Sequence, residues 1–148
     1  MMTKLLPPTY FFAAIVLALA AHFLFPLAAI IPFRWRFAAA VPIAAGVALN
    51  LIADRQFKQL GTEVKPFKRS SALVTDGVFK WSRNPMYLGV VLIVCGIAWL
   101  EGSLSPWIAA ACLALLLDRL FIAREERMLE ETFGAAYIRY TLSVRRWL

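Results

Sequence analysis

The chain has 148 residues, 61% of them hydrophobic and only 17% charged, whereas a soluble domain carries about 45–50% apolar residues. That excess is too large for one water-facing core and excludes an ordinary soluble globule. The 16 Lys+Arg against 9 Asp+Glu give a net charge of +7. The basic residues flank apolar runs, the pattern of segments beside anionic headgroups, which argues against a nucleic-acid surface.

The first apolar stretch, 9–31, exceeds the apolar core of a signal peptide and has no clean small-residue cleavage site followed by a soluble domain. It is expected to be a retained helix, distorted at Pro26. The second, 37–53, carries Pro42 in its first turns, where proline is tolerated. The third, 85–100, opens at Pro85. The fourth, 105–124, opens with Ser105 as an expected N-cap and Pro106 at the first helical position. Crossing the hydrocarbon takes about 20 residues, so the second and third spans need their flanks or a thinned bilayer. Only Glu101 to Leu104 separates the third from the fourth, which predicts a tight antiparallel hairpin. The fourth pattern runs on through Arg124-Glu125-Glu126-Arg127 to Phe133, and Gly134 is a natural stop. At about 1.5 Å per residue the membrane surface then falls near Glu125 and Glu126. Ala-rich patches such as 37–45 and 108–114 allow close helix approach.

These elements predict a single all-α membrane domain over 1–148, with about four transmembrane helices, a loop at 54–84 and a tail at 125–148. The loop carries Arg55, Lys58, Lys65, Lys68, Arg69, Lys80 and Arg83, and the tail Arg124, Arg127, Arg139, Arg145 and Arg146. The positive-inside bias puts both in the cytoplasm, and Arg34 and Arg36 then fall on the opposite side. Cys95 and Cys112 lie in apolar runs without metal or disulfide spacing, and are expected to be small buried hydrophobes.

Three polar clusters share the predicted cytoplasmic face. Leu73-Val74-Thr75-Asp76-Gly77 leads into Arg83-Asn84-Pro85-Met86-Tyr87-Leu88-Gly89, a helix start suited to an anionic group. The same residues also resemble an interfacial anchor of Trp81, Arg83 and Tyr87. Glu125 and Glu126 form the second cluster, and helix-surface pairing accounts for Arg127 better than for them. The third is Phe133-Gly134-Ala135-Ala136-Tyr137-Ile138-Arg139-Tyr140 with Val144-Arg145-Arg146-Trp147-Leu148, which alone reads as an amphipathic interfacial segment. Asp118 and Arg119 lie about two turns inside Glu125, and intramembrane ionisable residues are functional candidates. His22 and Asn50 read as packing polars within spans.

Together these clusters resemble the isoprenylcysteine carboxyl methyltransferase and phospholipid methyltransferase superfamily. That superfamily is marked by Arg-His/Asn-Pro-x-Tyr-x-Gly, a later Glu-Glu pair, and a Phe-Gly-x-x-Tyr-x-x-Tyr tail ending in Val-x-Arg. Leu60-Gly61-Thr62 also fits it, and the likeness runs from Leu60 to Leu148. The resemblance implies an S-adenosylmethionine pocket closed by the loop, the hairpin and the tail. Arg83, Asn84, Pro85, Tyr87 and Gly89 would lie at the cofactor's amino-acid end or adenosine. Glu125 and Glu126 would meet its ribose or ammonium, with Val74, Gly77, Tyr137 and Tyr140 completing the pocket. Asn84 stands where the prenylcysteine enzymes have histidine, and the N-terminal part is short for the family.

The implied activity is methylation of a lipophilic acceptor entering from the bilayer: an isoprenylcysteine carboxylate, a phospholipid amine or a small hydrophobic molecule. An amine or thiol acceptor needs a base, for which Glu126 and Asp118 are the candidates, with Arg83 completing the catalytic group. No metal site is indicated. No Gly-x-Gly-x-x-Gly follows a strand, which excludes the soluble Rossmann-like methyltransferases. The alternatives are an NADPH-dependent reductase of the sterol-reductase type and a non-catalytic membrane scaffold.

Overall fold

A computed structural model describes residues 6–59, 61 and 72–148, and all of its regular elements are helical. Helix α1 is Pro7–Leu24, and α2, Ala40–Gln59, continues a 3-10 segment at Phe33–Ala39. A 3-10 turn at Gly77–Lys80 precedes α3, Pro85–Glu101, and α4 is Ser105–Leu117. Asp118–Ile122 is π-helical and joins α4 without a break to α5, Ala123–Phe133, before α6, Ala135–Ser143. Leu60 and Thr62, part of the resemblance, lie outside the described residues, as do Lys65, Lys68 and Arg69.

Three helical runs are long and apolar enough to cross a membrane: Pro7–Leu24, Phe33–Gln59 and Ser105–Phe133. The apolar helix Pro85–Glu101 has 17 residues and is shorter. Large apolar side chains face outward, Phe12 at 63%, Leu17 at 61% and Phe23 at 77% exposure, as lipid contact requires and water would not allow.

The first span ends earlier than the hydropathy predicts. Residue 25 leaves the helix at φ −145° and ψ 67°, because the ring of Pro26 disfavours α geometry in the residue before it. The chain then pairs with the α3–α4 turn: Ile30 N–H donates to Gly102 O at 2.9 Å and Leu104 N–H to Ala28 O at 2.9 Å. Ser105 is not the N-cap. It is the first helical residue, and its hydroxyl donates to Ala21 O at 3.1 Å, tying α4 to α1. His22 bonds Ser103 at 2.8 Å, a packing polar as expected. Arg36 lies flat against Gly102, beside buried Glu101, so one of the arginines on the unexpected side sits in a folded turn. Cys112 is exposed rather than buried, and Cys95 is half-buried.

Helix α3 is the hub, packed against α1, α2 and α4. Lipid tails are as apolar as leucine, so burial alone cannot hold such helices together, and close van der Waals fit must. Along α1 and α4 that fit comes from Ala14, Ala18, Ala110, Leu113 and Leu117, all buried. Between α2 and α3 it comes from glycine. A Cβ on Gly89 would lie 2.6 Å from Gly46 O and collide with the Asn50 amide nitrogen. Gly89→Leu is therefore expected to lower stability by about 2–3 kcal/mol through forced separation of the helices; thermal unfolding in detergent measures it.

Antiparallel α2 and α3 bring the end of α2, the start of α3 and the π segment to one end of the bundle. The Glu101–Ser105 turn and the start of α2 lie at the other. One conformational signal is local. Gly134, at φ 51°, turns the chain between α5 and α6, as its position after Phe133 predicts.

Candidate functional site

A cavity of about 690 Å³ opens at the end of the bundle where α3 begins. Its mouth is polar, formed by Arg83, Asn84, Tyr87, Glu125, Tyr137 and Tyr140. Its apolar lining comes from Phe11 and Phe12 of α1, Phe57 of α2, and Val90 and Ile93 of α3, with Phe57 at the mouth end against Phe79.

Each polar side chain is positioned by the fold. Asn84 precedes α3 at φ −130° and ψ 55°, and Pro85 is the first helical residue. Asn84 does not cap the helix with its side chain. Its amide donates instead to Arg146 O at 3.1 Å, and Arg83 N–H donates to Arg145 O at 3.0 Å. The tail is thereby fastened along the segment preceding α3. Tyr140 adds a buried bond from its hydroxyl to Phe79 O at 2.6 Å. Burial pushes the Tyr137 hydroxyl up to about 12, with Glu126 acting the same way and Arg83 opposing, so it stays a neutral phenol.

The π segment sets the register of the carboxylates. Its extra residue per turn leaves Phe121 and Ile122 fully buried, with Phe121 edge-on to Tyr10 at 5.4 Å between centroids. Asp118 turns inward and Arg119 outward, at 19% and 80% side-chain exposure. Asp118 accepts from Arg146 at 3.3 Å and from the Trp147 indole at 3.2 Å. Glu126 is held by Arg83 at 3.2 Å and by Arg146 at 2.5 Å. The hydrogen bond to Glu126 raises the Arg146 pKa further, fixing it as a cation. Glu125 stands differently. It accepts from the Tyr87 hydroxyl at 2.8 Å, and among the described residues no arginine or lysine pairs with it.

Of the sequence-selected residues, Val74, Arg83, Asn84, Pro85, Tyr87, Glu125, Tyr137 and Tyr140 line the cavity. Glu126 and Asp118 sit behind that lining in the Arg146 network. Gly77 packs against Gln56 with φ +58°, and Gly89 faces α2; neither lines the cavity. Arg127, expected to pair along the helix surface, bonds Ala123 O at 3.2 Å instead. Sequence reasoning gave no role to Arg146, the cation joining Asp118 and Glu126. The available signal was two acidic residues on the last long helix with an arginine pair at the chain end.

A profile of the phospholipid methyltransferase family matches residues 35–136, well over half of the chain, and the chain belongs to that family of membrane methyltransferases. The match includes Arg83 to Gly89 and the Glu125–Glu126 pair; Tyr137, Tyr140 and Arg146 fall beyond it. Among its relatives is an uncharacterized protein of Haemophilus influenzae, 44% identical over 64 residues, which is 43% of this chain and the whole of that shorter protein. No solved structure matches the chain.

Proposed function

We propose that this protein is an S-adenosylmethionine-dependent methyltransferase whose acceptor is lipophilic and reaches the cavity from the bilayer. One observation carries the proposal. Arg83 before α3 and Glu125 on α5 meet at the mouth of a single cavity whose interior is apolar.

The residues at the mouth suit the cofactor. Among the described residues the buried Arg83 Nε has no hydrogen-bond partner, a donor that can meet a carboxylate. Glu125, which among the described residues has only the Tyr87 hydroxyl bonded to it, suits an ammonium, a sulfonium or a ribose hydroxyl. The volume lies within the range of about 300–1,000 Å³ usual for ligands of this size. When bound, the cofactor supplies an electrophilic methyl group on a sulfonium.

The chain's own part is to position and to exclude water. Tyr87 fixes the Glu125 carboxylate, while Glu126 and Asp118, engaged by Arg83 and Arg146, hold the mouth in shape. Helices α1 and α2 both pack on α3 and little on each other, which leaves a path from the acyl region to the apolar lining at Val90 and Ile93. Arg55, Lys58 and Lys80 at the cavity end support a cytoplasmic orientation.

Calorimetric titration of the detergent-solubilised protein with S-adenosylmethionine, S-adenosylhomocysteine and NADPH tests this. The first two should bind, and Glu125→Gln should weaken both by about ten-fold, the scale of one charge-assisted contact. Binding of NADPH alone, or of none of the three, would remove the proposal.

A further inference from the structure

The tail has two faces, and the site uses one of them. Along α6 the buried residues Tyr137 and Tyr140 turn inward onto the cavity, with buried Val144 just beyond. The opposite positions, Ile138, Arg139 and Leu142, follow helical spacing and stay exposed, Leu142 at 84%. Trp81 is exposed as well, at 78%. It stands in the strip along which the tail is fastened, between Phe79 O, which accepts from Tyr140, and Arg83 N–H, which donates to Arg145 O. Residues 134–148 contain Arg139, Arg145 and Arg146 and no acidic residue. Arg146 is engaged by Glu126 and Asp118, whereas among the described residues neither Arg139 nor Arg145 has an ion-pair partner. The outer face therefore combines large apolar side chains with two unneutralised cations.

We propose that the outer face of α6, together with Trp81, docks on the headgroups of acidic phospholipids at the end of the bundle where the cavity opens. The depth of this face follows from α3, which is packed against α1, α2 and α4 and crosses with them. Its 17 residues, at about 1.5 Å each, span about 26 Å, less than the roughly 30 Å of hydrocarbon. Pro85 at its start therefore cannot stand clear of the bilayer surface, and neither can the residues just before it. The tail hydrogen-bonded to those residues lies at the same level, that of the headgroups. There the chemistry of the face fits. Arg139 and Arg145 meet lipid phosphates, Trp81 takes the interfacial position its ring prefers, and Ile138 and Leu142 reach the upper acyl chains. A soluble acidic protein would have to displace headgroups to reach the same side chains. Docking one face of α6 also steadies the other, which carries Tyr137 and Tyr140 at the cavity mouth. The inference concerns how the tail is held and does not depend on what the cavity binds.

The test places the full chain in nanodiscs of phosphatidylcholine, with and without phosphatidylglycerol. A nitroxide is attached at Leu142→Cys in a Cys95→Ala and Cys112→Ala background. With phosphatidylglycerol present it should collide more often with oxygen, which partitions into lipid, than with a water-soluble nickel chelate. Each cation near an anionic surface favours docking about five-fold, so Arg139 and Arg145 together favour it about thirty-fold. The unlabelled wild-type chain should therefore unfold several degrees higher when phosphatidylglycerol is present. Arg139→Gln with Arg145→Gln should lose most of that gain, and so should the wild type in molar salt, which screens surface charge. Greater access of the chelate than of oxygen in both lipid mixtures would place the face in water and overturn the inference. Equal unfolding of the wild type in the two mixtures, or an undiminished gain in the double variant, would overturn it as well. Spin–spin broadening that disappears on dilution with unlabelled chain would make the face a contact between copies of this protein, against the inference. The nitroxide measurement keeps both arginines, so it decides even if the double variant does not fold.

Discussion

Arg83→Ala should cut affinity for S-adenosylmethionine by about 100-fold while leaving the helical bundle folded. Two losses combine. The substitution removes the unpartnered Nε donor at the cavity mouth and the 3.2 Å contact that holds Glu126. Hydrogen bonds involving a charged group contribute about 1.5–3 kcal/mol each, and about 2.7 kcal/mol corresponds to 100-fold. Arg83 keeps its backbone bond to Arg145 O through its own N–H, which the substitution does not touch, so the tail should stay attached. Calorimetry gives the affinity and circular dichroism the helix content. Wild-type affinity would place the cofactor's carboxylate elsewhere. Arg83→Lys should recover little, because an ammonium lacks the planar fork that can meet Glu126 and a ligand at once.

Arg146→Ala should destabilise the protein by about 2 kcal/mol and weaken donor binding as a consequence. Its guanidinium is the cation shared by Asp118 and Glu126, whose side chains are only 19% and 14% exposed. Removing the partner of a buried carboxylate costs about 3–5 kcal/mol. Arg146 itself is 38% exposed, so solvent screens part of that, which sets the lower figure. Glu126 retains Arg83, but Asp118 is left with the Trp147 indole and the distant edge of Arg119 at 3.8 Å. Thermal unfolding in detergent should fall by several degrees. Asp118→Asn in the Arg146→Ala background should recover part of the fall, since the unpaired charge is then gone. If Arg146→Ala unfolds as the wild type does, the tail does not hold the site.

The contrast between these substitutions shows how much was legible in the chain itself. The helix start at Pro85, the stop at Gly134 and the continuation of the last long helix to Phe133 all appear where local chemistry predicts them. Each is written in a window of at most a few turns: a run of apolar residues, a missing N–H, a positive φ. Two errors differ in kind: a distant partner overrules the first expectation, and the residue's own helix the second. Ser105 carries the right chemistry for an N-cap but bonds Ala21 O instead. Arg127 has acidic neighbours at helical spacing and turns to its own backbone.

The site followed the same division. Arg83, Tyr87, Glu125 and the two tail tyrosines were recognisable as a set, and they do line one cavity. Which carboxylate is neutralised and which is left to a ligand could not be read from adjacent glutamates. It depends on Arg146 arriving from the chain end to occupy Glu126 and Asp118, and on the π turn that rotates them toward it. Asn50 reads as a packing polar and is one, its amide donating to Gly46 O on its own helix beside the space at Gly89 on another. The sequence by itself determined a helical membrane protein and the residue types at the mouth of its cavity, since hydropathy and backbone preference act over neighbouring residues. The tertiary structure decided which of those charges cancel and which remain, since that depends on contacts between residues far apart in the chain.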